Sequence, residues 1–349
     1  MTDLQTTPYA DMPGPGETIL EVRDLAVEFR TRDGVVNAVN GITYTVAQGE
    51  TLAILGESGS GKSVSAQAVM GILDIPPAVI TSGEILFQGD DMLLMSEEDQ
   101  RQIRGAGISM IFQDALSSLN PVFTVGFQIG EMFRTHRGTS RKEAKAKAAE
   151  LMDRVRIPAA RERIDDYPHQ FSGGMRQRVM IAMALALDPA LIIADEPTTA
   201  LDVTVQAQIM QLLSDLQAET GTGLILITHD LGVVNEVADK VAVMYAGRIV
   251  EEGTVDEVFT QPAHPYTAGL MASIPLAERP GQRLNPIKGT PPNLAYIPPG
   301  CAFHPRCPMA RTGKAAQPGG DCRSDLPVLR EVAVGRRAAC HYSEELLHG

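Results

Sequence analysis

Residues 56–63 read Gly56-Glu57-Ser58-Gly59-Ser60-Gly61-Lys62-Ser63 and match the whole pattern of a phosphate-binding loop. An apolar run precedes the loop at residues 51–55, and a helical pattern follows it from Lys62 to about Leu73. The glycines let the backbone curl so that N–H groups face phosphate oxygens, and the helix adds its positive N-terminal end. We therefore expect Lys62 to reach the β- and γ-phosphates of a nucleotide and Ser63 to ligate Mg²⁺.

A second apolar run, residues 191–194, ends in two carboxylates, Asp195 and Glu196. A carboxylate at the C-terminal edge of a parallel sheet, beside a phosphate loop, can hold the water shell of Mg²⁺. We assign that role to Asp195, and we expect Glu196, one residue on, to polarise the attacking water. Away from such a loop, an Asp-Glu pair would indicate only an acidic surface.

A second glycine-containing turn opens a helix at residues 171–177, which read FSGGMRQ. The backbone amides of Ser172, Gly173 and Gly174 and the Ser172 hydroxyl can bind another phosphate. The chain then has two phosphate-binding turns but one full nucleotide site, so we expect two subunits arranged head to tail. Each would offer its turn to the γ-phosphate held by the other. The alternative is an N-capped helix without a ligand.

Short apolar runs alternate with helical patterns along the chain, including an amphipathic helix at residues 140–155 that Ser140 can cap. This alternation predicts an α/β fold with a mainly parallel sheet and helices on both faces. We expect a flexible tail at residues 1–18 and a P-loop nucleotide-binding domain at 19–260, with a helical subdomain at about 114–180. Residues 261–349 are rich in proline, contain all four cysteines and are predicted to form a small C-terminal extension.

The net charge of −13 argues against a non-specific nucleic-acid partner, which usually binds a basic surface. No apolar run is long enough to cross a bilayer, and the N-terminus lacks a basic-then-apolar signal. We therefore expect a cytosolic protein with reduced thiols.

These motifs, taken in order, resemble the nucleotide-binding subunits of ABC transporters over about residues 19–260. The turn at residues 172–174 resembles the signature motif of that family, and residues 200–202 resemble its D-loop, which contacts the partner subunit. Gln113 matches the Q-loop glutamine, which the resemblance implies touches the metal or water and reports the nucleotide state to membrane subunits. His229 matches the switch histidine that contacts the γ-phosphate.

Two positions depart from the family pattern. The signature continues with Met175 where many members have glutamine. An aromatic residue that stacks on adenine is not obvious; Phe29 is the candidate, and a core position is the alternative interpretation of it.

Three further stretches resemble the oligopeptide/dipeptide importer branch: residues 113–121, 264–275 and 299–308. The resemblance implies an ATPase that powers import of di- or oligopeptides from the cytoplasmic face of the membrane, as a peripheral subunit. Its implied partners are a second ABC ATPase subunit, often a paralogue, two integral membrane permease subunits and an extracytoplasmic solute-binding protein. A nickel or haem importer, or a non-transport ABC ATPase, remains an alternative. The segment between Ser63 and Ser172 has no sustained heptads, unlike the coiled-coil arms of DNA-repair ATPases.

The four cysteines, Cys301, Cys307, Cys322 and Cys340, are not spaced as zinc-finger pairs. Four thiolates can hold either Zn²⁺ or a [4Fe–4S] cluster. The resemblance implies a [4Fe–4S] cluster at these cysteines, although residues 313–320 look like an insertion before Cys322. Zinc, unliganded thiols and a redox or metal-sensing role stay open.

Overall fold

A computed structural model of the chain describes residue 14 and residues 16–114, 118–199, 201–273, 286–311 and 321–348. The chain divides into two compact units. The first comprises Met1–Leu20, Thr45–Thr51 and Leu86–Ile227, and the second comprises Glu21–Tyr44, Leu52–Ile85 and Thr228–Gly349. Within the described ranges, no helix combines the length and apolarity that a membrane crossing requires.

The strands and helices of the described residues are numbered in chain order. The strands are β1 (Thr18–Thr31), β2 (Gly34–Ala47), β3 (Thr51–Leu55), β4 (Ala78–Phe87), β5 (Asp90–Asp91), β6 (Ile108–Ile111), β7 (Leu191–Asp195), β8 (Gly223–Ile227), β9 (Lys240–Tyr245), β10 (Arg248–Thr254), β11 (Arg330–Ala333) and β12 (Arg336–Ala338). The helices are α1 (Lys62–Met70), α2 (Glu97–Ala106), α3 (Val125–Arg137), α4 (Arg141–Arg154), α5 (Ala160–Arg163), α6 (Gly173–Leu185), α7 (Val203–Thr220), α8 (Leu231–Val237), α9 (Val255–Thr260), α10 (Pro265–Met271), α11 (Pro308–Arg311) and α12 (Ser343–His348).

The first unit contains a parallel sheet in which β7 lies between β6 and β8. Every residue of these three strands is buried, which explains why they are short apolar runs without alternation. Ile111 pairs with Ala194, and Asp195 pairs with Ile227. This register brings the C-terminal ends of the strands to one edge, where the residues after each strand meet.

Helices α3 to α7 also belong to the first unit, and four of them, α3, α4, α6 and α7, begin at side chains that accept a backbone hydrogen bond. Thr124 caps α3, Ser140 caps α4 and Asp202 caps α7. The Ser140 hydroxyl accepts from the Glu143 N–H at 3.3 Å, so the cap predicted from the sequence is confirmed. Helix α7 ends at Gly221, which adopts the left-handed conformation common at helix C-termini.

In the second unit, β3 and β9 pair in parallel, and β9, β10, β12 and β11 follow as antiparallel neighbours in that order. Ala246 and Gly247 form the two-residue turn between β9 and β10, with φ of 50° and 78°. Positive φ at both positions suits the right-handed twist of a hairpin. β9 and β10 therefore form a hairpin, and the α/β class with parallel strands predicted from the sequence is confirmed.

Residues from the C-terminal part of the chain share one core with the strand that precedes the phosphate loop. Leu55 of β3, Val243 of β9, Tyr266 of α10, Phe303 and Cys307 belong to a single cluster of buried side chains. The ring centroids of Tyr245 and Tyr266 are 4.6 Å apart, and Phe303 meets both rings edge-on. Burial of such large rings supplies much of the stabilisation of a core. The predicted boundaries between tail, nucleotide-binding domain and extension stay predictions.

Candidate functional site

The phosphate-loop sequence forms a tight backbone turn in the second unit, between β3 and α1. Gly56, Gly59 and Gly61 have φ of 154°, 77° and 104°, which other residues rarely adopt. A Cβ atom at Gly56 would collide with the Met244 carbonyl oxygen, and one at Gly61 would collide with the Ala38 carbonyl oxygen. Both conformation and space therefore require glycine at these two positions.

Lys62 lies beneath this turn with only 5% of its surface exposed. Its Nζ donates to the carbonyl oxygens of Gly56 at 2.8 Å and Glu57 at 3.0 Å. Ser63 is half-buried at the second position of α1. The Ser60 hydroxyl is buried and, within the described ranges, has no hydrogen-bond partner. A buried hydroxyl without a partner is uncommon and is consistent with a polar ligand at the loop.

The residues at the C-terminal ends of β6 and β7 come together in the first unit. Asp195 is the last residue of β7 and is 5% exposed. The carboxylate of Glu196 accepts hydrogen bonds at Oε2 from Gln113 Nε2 at 3.1 Å and from Thr199 Oγ1 at 2.8 Å. Gln113, assigned from the sequence, thus contacts Glu196 directly. Thr199 was missed, because a threonine two residues after a proline is a common turn residue and gives no signal.

Glu196 has a left-handed backbone, with φ of 46°. For a residue with a side chain this conformation costs about 1–2 kcal/mol. The Glu196 N–H donates to the Ile227 carbonyl at 2.8 Å, which holds the turn against the end of β8. Strained residues concentrate at functional sites, and the two side-chain hydrogen bonds fix where this carboxylate points.

The signature turn forms the N-terminus of α6 in the first unit. Ser172 and Gly173 are exposed, and the Ser172 hydroxyl accepts from the Met175 N–H at 3.3 Å. The hydroxyl therefore caps the helix and still has its own hydrogen to donate. A Cβ atom at Gly174 would lie 2.6 Å from Val205 Cγ1 of α7, so this glycine allows the two helices to approach closely.

The predicted switch histidine and adenine-stacking residue both lie in the second unit. His229 is exposed, and the preceding Thr228 N–H donates to the Ile54 carbonyl at 3.4 Å, beside the strand of the phosphate loop. Phe29 is half-buried on β1 rather than fully enclosed. Leu201 and Asp202 of the predicted D-loop precede α7, whereas Ala200 lies outside the described residues.

The four cysteines are free thiols in one region of the second unit. Cys322 and Cys340 belong to one small apolar cluster with Tyr342, and Cys301 packs against it. The Cys301 N–H donates to the Cys322 carbonyl at 2.9 Å. Burial raises the pKa of Cys301 to about 11 and that of Cys340 to about 12, and it also raises the pKa of Cys307.

Within the described ranges, no three histidine, cysteine, aspartate or glutamate side chains are arranged to hold a metal ion. The donor chemistry of four thiols suits iron or zinc, but the side chains do not stand at ligand positions. The cluster implied by the resemblance therefore has no support from the side-chain arrangement. The elevated pKa values mean that a metal would have to displace protons from neutral thiols.

Two family models match the chain. Residues 39–199 match a model described as ABC transporter. Residues 250–313 match a model described as oligopeptide/dipeptide transporter, C-terminal region.

The curated relatives include the oligopeptide transport ATP-binding protein OppD of Bacillus subtilis, which is 56% identical over 82% of this chain and 80% of the relative. The dipeptide transport ATP-binding protein DppD of the same organism is 52% identical over 88% of this chain and 92% of the relative. OppD of Salmonella typhimurium is 49% identical over 96% and 97% of the two chains.

Solved structures agree. A dimeric bacterial ABC transporter cassette superposes with a TM-score of 0.61 at 27% identity, covering 68% of this chain and 98% of that chain. A post-hydrolysis state of an ATP-binding cassette with ADP and Pi gives the same TM-score.

The chain therefore belongs to the ABC transporter ATP-binding proteins, which are ATPases, and the fold and family predicted from the sequence are confirmed. Within that family it carries the C-terminal region of the oligopeptide/dipeptide transporters.

Proposed function

We propose that residues 56–63 bind the phosphates of ATP and that Asp195, the last residue of β7, and Glu196, which follows it, take part in ATP hydrolysis. Lys62 contacts the β- and γ-phosphates, and Ser63, Gln113 and Asp195 hold Mg²⁺ directly or through water. The tight turn required by three glycines supports this assignment, since it directs backbone N–H groups inward.

Glu196 orients and deprotonates the water that attacks the γ-phosphate, and His229 and Lys62 stabilise the charge that develops. The hydrogen bonds from Gln113 and Thr199 support this role, because they fix the carboxylate at the edge where β6 and β7 end. Phe29 stacks on the adenine; its side chain is only half-buried, which is compatible with such a contact.

The turn at Ser172, Gly173 and Gly174 completes the site of a second ATPase subunit. Its exposed position at the start of a 13-residue helix supports this proposal, since the N–H groups and the helix dipole favour an anion there. A structure of the complete assembly with a non-hydrolysable ATP analogue tests the arrangement. A triphosphate bound at Lys62 with no neighbouring signature turn against it would refute the two-subunit site.

We infer that the chain powers import of di- or oligopeptides. The observation that carries this inference is the match of residues 250–313 to the oligopeptide/dipeptide transporter C-terminal region, together with relatives named for oligopeptide and dipeptide transport. The partners are a second ABC ATPase subunit, a paralogue of this one, two integral membrane permease subunits and an extracytoplasmic solute-binding protein. The chain sits on the cytoplasmic face of the membrane.

Reconstitution tests the transport function. The tagged chain is purified with its membrane partners, incorporated in proteoliposomes and supplied with ATP on the side of this subunit. Uptake of labelled di- and oligopeptides is compared with uptake of nickel and haem, and with a Lys62→Ala assembly as control. Peptide uptake that depends on ATP and on Lys62 supports the proposal. Uptake of nickel or haem alone would assign the same motor to a different solute, and ATP hydrolysis with no uptake would favour a non-transport ATPase.

We also propose that Cys301, Cys307, Cys322 and Cys340 hold a [4Fe–4S] cluster, with zinc as the alternative. Cys307, Cys322 and Cys340 are buried, and Cys301 packs against the cluster that contains Cys322 and Cys340, which supports the proposal. Anaerobically purified protein is assayed for iron, acid-labile sulfide, zinc and visible absorption, beside a Cys340→Ser variant. Iron and sulfide in equal amounts support the cluster, zinc alone supports the alternative, and neither metal refutes both.

A further inference from the structure

Glu57, the second residue of the phosphate loop, is held from two sides by residues of the C-terminal part of the chain. Its carboxylate accepts two parallel hydrogen bonds from Arg306, Nη1 to Oε2 at 2.5 Å and Nη2 to Oε1 at 2.9 Å. Its backbone N–H donates to the Tyr266 hydroxyl at 2.9 Å. Paired hydrogen bonds of this kind fix orientation as well as distance.

The Arg306 guanidinium is itself fixed by its surroundings. Its side chain is only 5% exposed. It lies 5.8 Å from the ring centroid of Tyr245 and 6.0 Å from that of Phe303, and Nη1 also donates to the Tyr245 hydroxyl at 3.3 Å. Nε donates to the Lys288 carbonyl at 3.3 Å. An arginine this constrained cannot follow Glu57 to a new position, so it holds the loop in place.

Glu57 links its contact with Arg306 to Lys62 of the phosphate loop. The Glu57 carbonyl oxygen accepts from Lys62 Nζ at 3.0 Å, while the Glu57 carboxylate binds Arg306. A shift of Glu57 would therefore move a hydrogen-bond partner of Lys62. Arg306 lies one residue before Cys307, in a turn closed by the Cys307 N–H donating to the Phe303 carbonyl at 3.0 Å. The cysteine-containing turn and the phosphate loop are thus joined through one ion pair.

We propose that Arg306 is a positioning residue for nucleotide binding: through Glu57 it sets the conformation of the phosphate loop. The proposal rests on the assignment of residues 56–63 as the ATP site. Arg306 touches neither the reacting atoms nor the water, so its loss weakens ATP binding and raises KM while kcat changes little. By linkage, bound nucleotide in turn stabilises the cysteine-containing turn around Arg306.

A double-mutant cycle tests the ion pair, with the affinity for a fluorescent ATP analogue and the KM for ATP as readouts. We expect Arg306→Gln and Glu57→Gln each to raise the dissociation constant about tenfold, the middle of the range for directly coupled residues. The double variant should also show about a tenfold rise, because the second change removes a contact already lost. A hundredfold rise in the double variant would overturn the coupling.

Three controls make the cycle specific. Arg23→Gln breaks an exposed pair with Glu84 of the second unit, at 3.0 Å, and should leave the affinity unchanged. Lys62→Ala should abolish ATP binding, and ATP binding by this variant would refute the assignment of the ATP site. If Lys62→Ala does not bind ATP but Arg306→Gln binds it normally, only the role proposed for Arg306 is overturned. Arg306→Lys keeps the charge but not the paired hydrogen bonds, so its affinity should be intermediate.

Hydrogen exchange measured by mass spectrometry tests the reciprocal effect and does not depend on activity. In the wild type, a saturating non-hydrolysable ATP analogue should slow exchange of the amides in residues 301–307. In Arg306→Gln, saturated with the same analogue, that protection should be lost while protection of residues 56–63 persists. Equal protection of the cysteine-containing turn in both proteins would refute the link.

Discussion

Replacing Glu196 with glutamine should nearly abolish ATP turnover and leave ATP binding intact. The change is almost isosteric. The carboxylate accepts hydrogen bonds from Gln113 and Thr199 at one oxygen, and the amide oxygen of glutamine can accept the same two bonds. The variant therefore keeps the geometry of the site and loses only the negative charge and the ability to take a proton.

The size of the effect follows from that difference. A positioned general base contributes about 10²- to 10⁴-fold to a reaction rate. This corresponds to about 2.7–5.4 kcal/mol of transition-state stabilisation. Thr199→Val is a milder variant for comparison, because it removes one hydrogen bond of 2.8 Å from the same oxygen and keeps the carboxylate. The loss of one such bond is worth about 0.5–1.5 kcal/mol, or roughly two- to tenfold in kcat.

The assay is phosphate release under single-turnover conditions, with nucleotide affinity measured separately. We expect the single-turnover rate constant to fall by about 10²- to 10⁴-fold in Glu196→Gln, with the affinity close to that of the wild type. Thr199→Val should lie between the wild type and Glu196→Gln. Equal turnover in Glu196→Gln and wild type would show that Glu196 is not the base, and a matched loss of affinity would show that its role is in binding.

Two further predictions concern stability. Burial lowers the pKa of His264 from 6.5 to about 3, so the folded protein keeps this imidazole neutral. The contribution of the neutral imidazole to the free energy of unfolding is fully present above about pH 6.5 and is lost progressively as the pH falls toward 3. In urea unfolding, the free energy of unfolding should fall by up to about 1.4 kcal/mol per pH unit between pH 7 and 5. His264→Asn should reduce this pH dependence, because asparagine can accept the Tyr266 N–H without titrating. The same pH dependence in the variant and the wild type would contradict the prediction. Gly174→Ala should lower the free energy of unfolding by about 1–3 kcal/mol through its clash with Val205, while Gly173→Ala, with its nearest neighbour at 3.5 Å, should be neutral. If the clash with Val205 is the cause, adding Val205→Ala to Gly174→Ala should restore the free energy of unfolding. Equal stability of Gly174→Ala and Gly173→Ala would contradict the prediction.

Most of the fold was predictable because its central elements are local in sequence. The run at residues 51–55 forms β3 with those bounds, and the run at 191–194 forms β7 with Asp195 added. These strands are buried on both faces, so they appear as continuous apolar runs. Strand β1 (Thr18–Thr31) has no such run, because its burial varies from residue to residue, and it lies between β2, the next strand in the chain, and the distant β4. Pairing partners of that kind leave no local pattern.

The site was predictable where a motif prescribes a backbone shape, as it does at residues 56–63. It was less predictable where the contact depends on register. Gln113 and Glu196 are separated by 83 positions, and they meet because Ile111 pairs with Ala194 on adjacent parallel strands. The family resemblance indicated Gln113, and the apolar run ending in two carboxylates indicated Glu196, but the hydrogen bond between them follows only from the register.

The contacts of Glu57 join the C-terminal region to the phosphate loop. Arg306 lies 249 positions from Glu57, and Tyr266 lies 209 positions away, so neither contact could be inferred from local sequence. Both residues fall inside residues 250–313, the part that matches the oligopeptide/dipeptide transporter C-terminal region. His264 adds to this arrangement, because its Nδ1 accepts from the Tyr266 N–H at 3.0 Å and fixes the start of α10. A region that matches a transporter-specific family therefore supplies two of the groups that hold the phosphate loop, and changes in that region should alter nucleotide affinity before they alter the chemistry of hydrolysis.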